Sequence, residues 1–364
     1  MNKKENIKQI RIYHGPVNIV GIGGYCAEYQ RRKGLSSDFI VWYDDTVRQN
    51  HHVNLQIDKV NRFKKIWRIF INFLKCYKKY DIFHFYFGLS LLPFGLDLPI
   101  LKMLDKKIIM NYCGSDIRLE EVEKKRNPYW KYIPETGRLI KDKGMDKFKK
   151  LMMWWHDKWV DKVIAGKNIY YSAITTIRRE KIIDRLYINN AIPVNYEKPI
   201  FKTNNPPVIV HAPSNPELKG TKYIEKTLEN LKNKGYKFKY IKLYNRPNTE
   251  VHKILKNEAD IVIDQLLLGG FGTFTVEAMY YGKPVCVYII DEVRERYFPK
   301  IPVVNCTIDN IEEKLKFLIE NPAERVKIGK KAYIFARKYF DYITENEKLI
   351  RIYEELVNIN GDTV

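Results

Sequence analysis

Two doubly wound α/β domains are predicted by three features of this 364-residue sequence. Short apolar runs alternate with longer amphipathic stretches, a breaker-rich segment divides the alternation into two similar halves, and a glycine-rich turn follows an apolar run in each half. A chain of this length exceeds a typical single core, and two domains of about 150 to 200 residues each leave a cleft between them.

In the first half, residues 9–14, 38–43, 81–86 and 107–112 read as buried strands with helical patterns between them. The alternation lapses over the charged and aromatic stretch 120–159 and resumes at 162–165 and 185–188. Residues 189–207, rich in proline and asparagine, read as a linker. Beyond it, strands are predicted at 208–212, 237–243, 259–264 and 284–289, spaced by helices at 221–234, 249–258 and 273–281. Residues 324–340 and 342–359 read as helices, the last placed to pack back on the first domain. The predicted division is 1–190, a linker at 191–206, a second domain at 207–340, and a returning helix at 341–364.

Hydrophobic residues make up 45% of the chain and aromatics 13%, enough for a packed interior and too many for a disordered polyelectrolyte. The 64 Lys and Arg against 43 Asp and Glu leave +21, which favours nucleic acid, an acidic membrane surface or phosphorylated substrates as partners. A lysine-rich composition with solvated side chains gives the same balance. Zinc-finger spacing, an RNA-binding K/R-G-F/Y motif and long basic runs are all missing from the sequence, so no nucleic-acid partner is expected.

Cys26, Cys76, Cys113, Cys286 and Cys306 are odd in number and form no C-x-x-C pair, which argues against a disulfide framework or a thiolate zinc site and fits a reducing cytoplasm. Residues 1–10 lead into no apolar stretch of signal-peptide length, and the most apolar region, 87–104, is interrupted by Pro93, Asp97, Pro99 and Lys102. A cytoplasmic protein is expected, with peripheral contact at the inner face of a membrane as a further reading.

Three turns are candidates for chemistry. Val20 to Tyr25 follows the first strand and offers Gly23 and Gly24 for close backbone approach to an anion at a helix start, though it lacks a clean G-x-G-x-x-G and reads equally as a tight turn. Gly269 to Met279 follows a strand and opens a helix. Amides of Gly270, Phe271, Gly272, Thr273 and Phe274 could chelate a diphosphate there, while Glu277, one turn on, could accept from sugar or ribose hydroxyls. The polar turn His211 to Thr221 carries Ser214 and Lys219, and the lysine would bring a cation to the same cleft mouth.

Lys219-Gly220-Thr221, Ala259-Asp260-Ile261-Val262, Gly270-Phe271-Gly272 and Glu277-Ala278-Met279 with Gly282-Lys283-Pro284-Val285 together resemble the retaining glycosyltransferases of family 4, within glycosyl transferases group 1. The likeness covers most of the second domain. It reaches the first more loosely, through Gly23-Gly24, the strand with His84, and Gly114-Ser115-Asp116. It implies the GT-B fold, two Rossmann-like domains facing a cleft, with the nucleotide sugar on the C-terminal domain and the acceptor against the N-terminal one.

Carried over by position, Glu277 matches the second glutamate of the family's E-x7-E motif, which holds the donor ribose. Lys219 matches the phosphate-binding lysine. There are three departures: the first glutamate falls on Gly269, the arginine ahead of the lysine on Ser214 or Pro213, and the first-domain active-site histidine on Cys113. Arg246 is a candidate to replace the missing cation. The resemblance implies Lys219, Glu277 and Cys113 as catalytic positions, and His84, Ser115 and Asp116 on the acceptor side.

The expected chemistry is sugar transfer with retention, in which fixed donors stabilise charge on the leaving diphosphate. The sequence has no D-x-D triplet, so neither a metal nor another cofactor is expected. The acceptor is expected to be a glycan or lipid-linked glycan of the cell envelope. The basic amphipathic stretch 61–80 reads first as a helix covering the sheet, its charge also fitting an anionic membrane surface. Two rival readings stand: a nucleotide-sugar epimerase of the same fold, and a non-catalytic sugar-nucleotide or glycan binding subunit.

Overall fold

The computed structural model describes residues 10–43, 50–134, 144–191, 193, 199–201 and 203–357. Residues 1–9, 358–359 and much of the predicted linker (192, 194–198 and 202) lie outside them. Along the chain run β1 (Arg11–Gly15), α1 (Ile22–Arg32), β2 (Ser36–Val41), β3 (Val53–Asn54), α2 (Arg62–Lys79), β4 (Ile82–Tyr86), α3 (Asp97–Met103) and β5 (Lys107–Asn111). Next come α4 (Glu120–Arg126), α5 (Met145–Trp159), β6 (Lys162–Ile164), α6 (Tyr170–Ala173), β7 (Ile182–Ile183), β8 (Val208–His211), α7 (Pro216–Lys219), α8 (Thr221–Asn233) and β9 (Lys239–Lys242). The chain continues through α9 (Asn248–Asn257), β10 (Ile261–Ile263), α10 (Thr273–Tyr280), β11 (Val285–Val287), α11 (Asp291–Tyr297), β12 (Val304–Asn305), α12 (Ile311–Glu320), α13 (Pro322–Tyr339) and α14 (Tyr342–Leu356).

Described residues within 1–119, 142–189 and 342–364 form one compact unit, and those within 120–141 and 190–341 a second. The first unit holds a seven-stranded sheet ordered β3-β2-β1-β4-β5-β6-β7, with every pairing parallel. Both faces of such a sheet are covered, which is why β4 can be buried at every position. The connection from β1 to β2 steps one way across the sheet, whereas those from β3 to β4, β4 to β5 and β5 to β6 step the other way. Right-handed crossovers therefore set α1 on one face and α2, α3 and α5 together on the opposite face. Helix α14 joins α1, with the Tyr342 hydroxyl donating to the Tyr25 carbonyl at 2.6 Å.

The second unit is built on a five-stranded parallel sheet, β12-β11-β10-β8-β9. Ile209, Ile261 and Ile263 of its central strands pack with Ile224, Leu228, Leu231, Leu315 and Leu318 in one buried cluster.

The structure corrects the sequence reading in three places. Residues 185–188 form no strand: Leu186, Tyr187 and Ile188 are buried, but the Tyr187 amide donates to the Glu345 carboxylate of α14, so the apolar run marks burial without sheet pairing. The stretch 120–159 contains α4 and α5, and its described residues up to 134 belong with the second unit, not the first. Finally, α2 buries Ile69, Asn72, Phe73 and Cys76, while Phe63, Ile66, Trp67, Phe70 and Leu74 stand exposed.

Candidate functional site

The second unit gathers its polar side chains at the carboxyl ends of β8 and β10. Strand β8 ends on His211, whose buried ring meets the Ile263 carbonyl through Nδ1 at 2.8 Å and the Thr221 hydroxyl through Nε2 at 2.9 Å. This pairing sets the tautomer with hydrogen on Nδ1. Burial pushes the imidazole down to about 4, so it is neutral near pH 7. The next turn of chain is α7. Asn215 caps it by accepting from the amides of Glu217 and Leu218, both at 3.1 Å, and Gly220 closes it at φ +78°, a left-handed position suited to glycine. Lys219 is thereby fixed as the last helical residue, and its carbonyl accepts from the Leu266 amide at 3.1 Å.

The Lys219 ammonium pairs with Oδ1 of Asp264, whose side chain is fully buried. The other carboxylate oxygen accepts from the Thr275 hydroxyl at 2.6 Å. Burial alone would raise the Asp264 pKa, but the Lys219 charge and the hydrogen bonds from Lys219 and Thr275 outweigh it and hold the group below its usual value. Asp264 thus ties the lysine of α7 to the first turn of α10. The ammonium also lies 5.7 Å from the centroid of the Phe274 ring.

The glycine-rich turn is pinned from below. Gln265 donates to the Gly270 carbonyl, and the Ile290 amide donates to the Gly269 carbonyl at 3.2 Å. Helix α10 opens after Gly272 with no side-chain cap, and a Cβ placed on Gly272 would meet nothing within 4 Å. Space is therefore open beside Gly272 at the helix start, with a cation near by, an arrangement that suits a phosphate. The Phe271 ring is turned away, 5.6 and 5.8 Å from Phe298 and Phe340. Ser214 is exposed in the turn between β8 and α7.

Glu277 is buried on α10, with Oε1 3.2 Å from His252 Nε2 of α9. Gly269, the position of the family's other glutamate, has φ +67°, and a Cβ there would lie 2.8 Å from Ile290 Cγ2. The backbone at this position is strained for a glutamate. Arg246 is exposed, 4.0 Å from Glu250. The segment after α4 buttresses the turn from within the same unit: the Asn127 amide donates to the Leu267 carbonyl at 2.7 Å, and Trp130 and Ile133 pack on Leu218 and Leu267.

The first-unit candidates do not form a comparable cluster. His84 is fully buried, bonded through Nδ1 to the Tyr353 hydroxyl at 2.6 Å and stacked on Tyr86 at 4.7 Å. It is a core residue, which corrects its reading as an acceptor contact. Cys113 is half-buried with its thiol 3.6 Å from the Asn111 carbonyl, and burial raises its pKa far above the ordinary value, so it is a neutral thiol. Asp116, near the half-buried Ser115, accepts from the amides of Cys113 and Gly114 at 3.0 and 2.7 Å. Its carboxyl is pushed up to about 6 by burial. Gly23 and Gly24 sit in the first turn of α1, where added Cβ atoms would come within 2.6 Å of Phe39 and 2.3 Å of Asn50. Packing accounts for both glycines.

Sequence reasoning missed Asp264, Gln265 and His252. An aspartate ending the apolar run Ile261-Val262-Ile263, just ahead of a glycine-rich turn, was the available signal. Among the described residues no three His, Cys, Asp or Glu side chains group as metal ligands would, and no helix is long and apolar enough to cross a membrane.

Residues 203–335 match the family model described as Glycosyl transferases group 1. No curated protein matches the sequence. Among solved structures, sucrose-phosphate synthase from Thermosynechococcus elongatus superposes with a TM-score of 0.69 at 11% identity, covering 96% of this chain and 99% of its own. Anabaena HepE in complex with UDP-glucose gives 0.61 at 13% identity, with 94% and 99% covered. A candidate UDP-N-acetylglucosamine 2-epimerase from Listeria monocytogenes gives 0.56 at 11%, with 96% and 97% covered. Identities this low establish a common fold alone. With parallel sheets in two Rossmann-like units and a helical C-terminal stretch, the chain has the GT-B fold, and its residues 203–335 match the model of glycosyl transferases group 1.

Proposed function

We propose that the chain is a glycosyltransferase that moves a sugar from a nucleotide-sugar donor to a glycan or lipid-linked acceptor, with retention and without a metal, in cell-surface polysaccharide assembly at the cytoplasmic face. The observation that carries this reading is the convergence of Lys219 and the uncapped start of α10 on the buried Asp264, inside the matched segment. As the bond between the anomeric carbon and the diphosphate oxygen breaks, negative charge builds on the leaving group. A prealigned ammonium and helix amides stabilise it without reorganising. Lys219 has three N–H donors, so it can keep Asp264 and still reach a phosphate oxygen. Glu277 suits a ribose or sugar hydroxyl, in competition with His252.

The experiment is a thermal-shift panel of UDP-, GDP-, ADP- and CMP-sugars on the parent protein, Lys219→Ala and Glu277→Ala. Selective stabilisation by one donor, reduced in both variants, is expected. No shift with any donor at saturating concentration counts against the reading. A second reading, donor binding without turnover, draws on Gly269, which stands where the family has its first glutamate and whose backbone disfavours one. Product analysis with the donor found separates transfer, epimerisation and binding alone.

A further inference from the structure

Helix α2 is amphipathic twice over. Ile69, Phe73 and Cys76 face the sheet, while Phe63 and Trp67, 85% and 63% exposed, stand on the opposite side with Ile66, Phe70 and Leu74. The same pattern recurs on the neighbouring helices. Phe94, just before α3, is 69% exposed and Met103 at its end 84%, while Leu151 and Trp154 of α5 are also exposed. Helix α3 packs against α5, and crossover handedness puts all three helices on one face of the sheet. Many large apolar side chains spread over one face exceed the scattered exposure normal for a soluble surface.

Charge selects the occupant. The eighteen residues of α2 include seven Lys and Arg and no Asp or Glu, and Lys64, Lys65, Lys75 and Lys78 are exposed around the apolar ridge. A second copy docking through the same patch would set these cations against each other about a twofold axis. An anionic headgroup layer would neutralise them while the aromatic and aliphatic tips enter the acyl boundary. Beside Trp67 a groove of about 730 Å³ opens between α2 and β3, apolar at Val53, Leu55 and Ile71 and basic at Arg68 and Lys75. That lining matches an anionic amphiphile.

We propose that this face of the first unit docks on an anionic lipid bilayer, with α2, α3 and α5 lying against the headgroup region. Docking in this sense is independent of whether the chain transfers sugar. The test is co-sedimentation of the full chain with vesicles of phosphatidylcholine alone or in equal parts with phosphatidylglycerol. Partition onto the anionic vesicles, weakened by salt, is expected. Phe63→Ser/Trp67→Ser should lower it at least roughly tenfold, since each apolar tip withdrawn from lipid counts on the order of a tenfold change. Lys64→Glu/Lys65→Glu should lower it by a similar factor through lost attraction to anionic lipid. All four side chains are exposed, so an unchanged melting temperature confirms that the variants fold. Equal partition onto both vesicle types, or variants that pellet like the parent, would overturn the proposal. So would self-association, seen by sedimentation equilibrium and abolished by Phe63→Ser/Trp67→Ser in a protein that ignores vesicles.

Discussion

Asp264 holds the Lys219 ammonium on one carboxylate oxygen and has no exposed surface of its own. The lysine is nearly as enclosed, with 12% of its side chain exposed. Thr275 occupies the second oxygen, so a single buried carboxylate sets where both the cation and the start of α10 stand. In a pair of this kind each charge is tolerable because of the other.

Removing either partner alone should therefore cost stability as well as function. Lys219→Ala and Asp264→Ala are each expected to lose about 3 kcal/mol, the usual effect of stranding a buried charge. Lys219→Met/Asp264→Leu should recover much of that loss and still fail to bind donor. Denaturant melts of the three variants measure the first part, and donor thermal shift the second. A double variant as unstable as the singles would show that the pair is not the source of the penalty.

Gly269 gives a prediction about the missing glutamate. At φ +67° with Ile290 Cγ2 in the path of a Cβ, Gly269→Glu is expected to destabilise the fold by roughly 1–3 kcal/mol and to raise no donor affinity. Gly269→Ala should cost a comparable amount, because the backbone and the first side-chain atom cause the strain. A Gly269→Glu variant that melts like the parent and binds donor more tightly would mean that the turn rearranges easily.

These two positions show how unevenly the sequence could be read. The alternation of apolar and amphipathic runs located most strands, and the lysine turn and glycine turn could be paired because both follow strands of one half. Asp264 stayed hidden, since an aspartate closing a strand usually meets solvent, and only the fold brings it to Lys219, 45 residues away in sequence. His84 misled for the opposite reason: polar residues inside a strand suggest a site, whereas here the ring is enclosed in the core with Nδ1 bonded to Tyr353 of the last helix. The outward ridge of α2 was legible as amphipathic, but periodicity alone does not say which of two apolar stripes meets the sheet.

Stability should fall on mild acidification. His14, His156 and His211 are buried, and burial lowers each to about 4 from an ordinary 6.5. The unfolded chain takes up protons on these rings first, so their neutral burial is fully favourable above about 6.5 and is lost progressively as pH falls toward 4, on the order of 1–3 kcal/mol per ring. Asp264 acts lower: its folded pKa is depressed, so its contribution is present above the ordinary carboxylate value and is lost below it. Asp97 and Asp116, both raised to about 6 by burial, act in the opposite sense below about 6, but the three rings outnumber them, so denaturation midpoints at pH 7, 6, 5 and 4 should still decline. A flat profile between 7 and 5 would refute neutral burial of the histidines.

Metal independence makes the last prediction. On the proposed reading the cation offered to the leaving diphosphate is Lys219, which Asp264 holds in place, and the sequence has no D-x-D triplet to carry a bridging ion. Transfer should proceed unchanged after EDTA treatment, and Lys219→Ala should depress kcat far more than chelation does, since one prealigned donor to an oxyanion is worth roughly 10²–10³ in rate. The measurement is donor turnover with and without EDTA, for the parent and for Lys219→Ala. Activity lost to EDTA and restored by Mn²⁺ or Mg²⁺ would show that a divalent ion, not the lysine, carries the leaving-group charge. Lys219 would then be left with the structural task of neutralising Asp264.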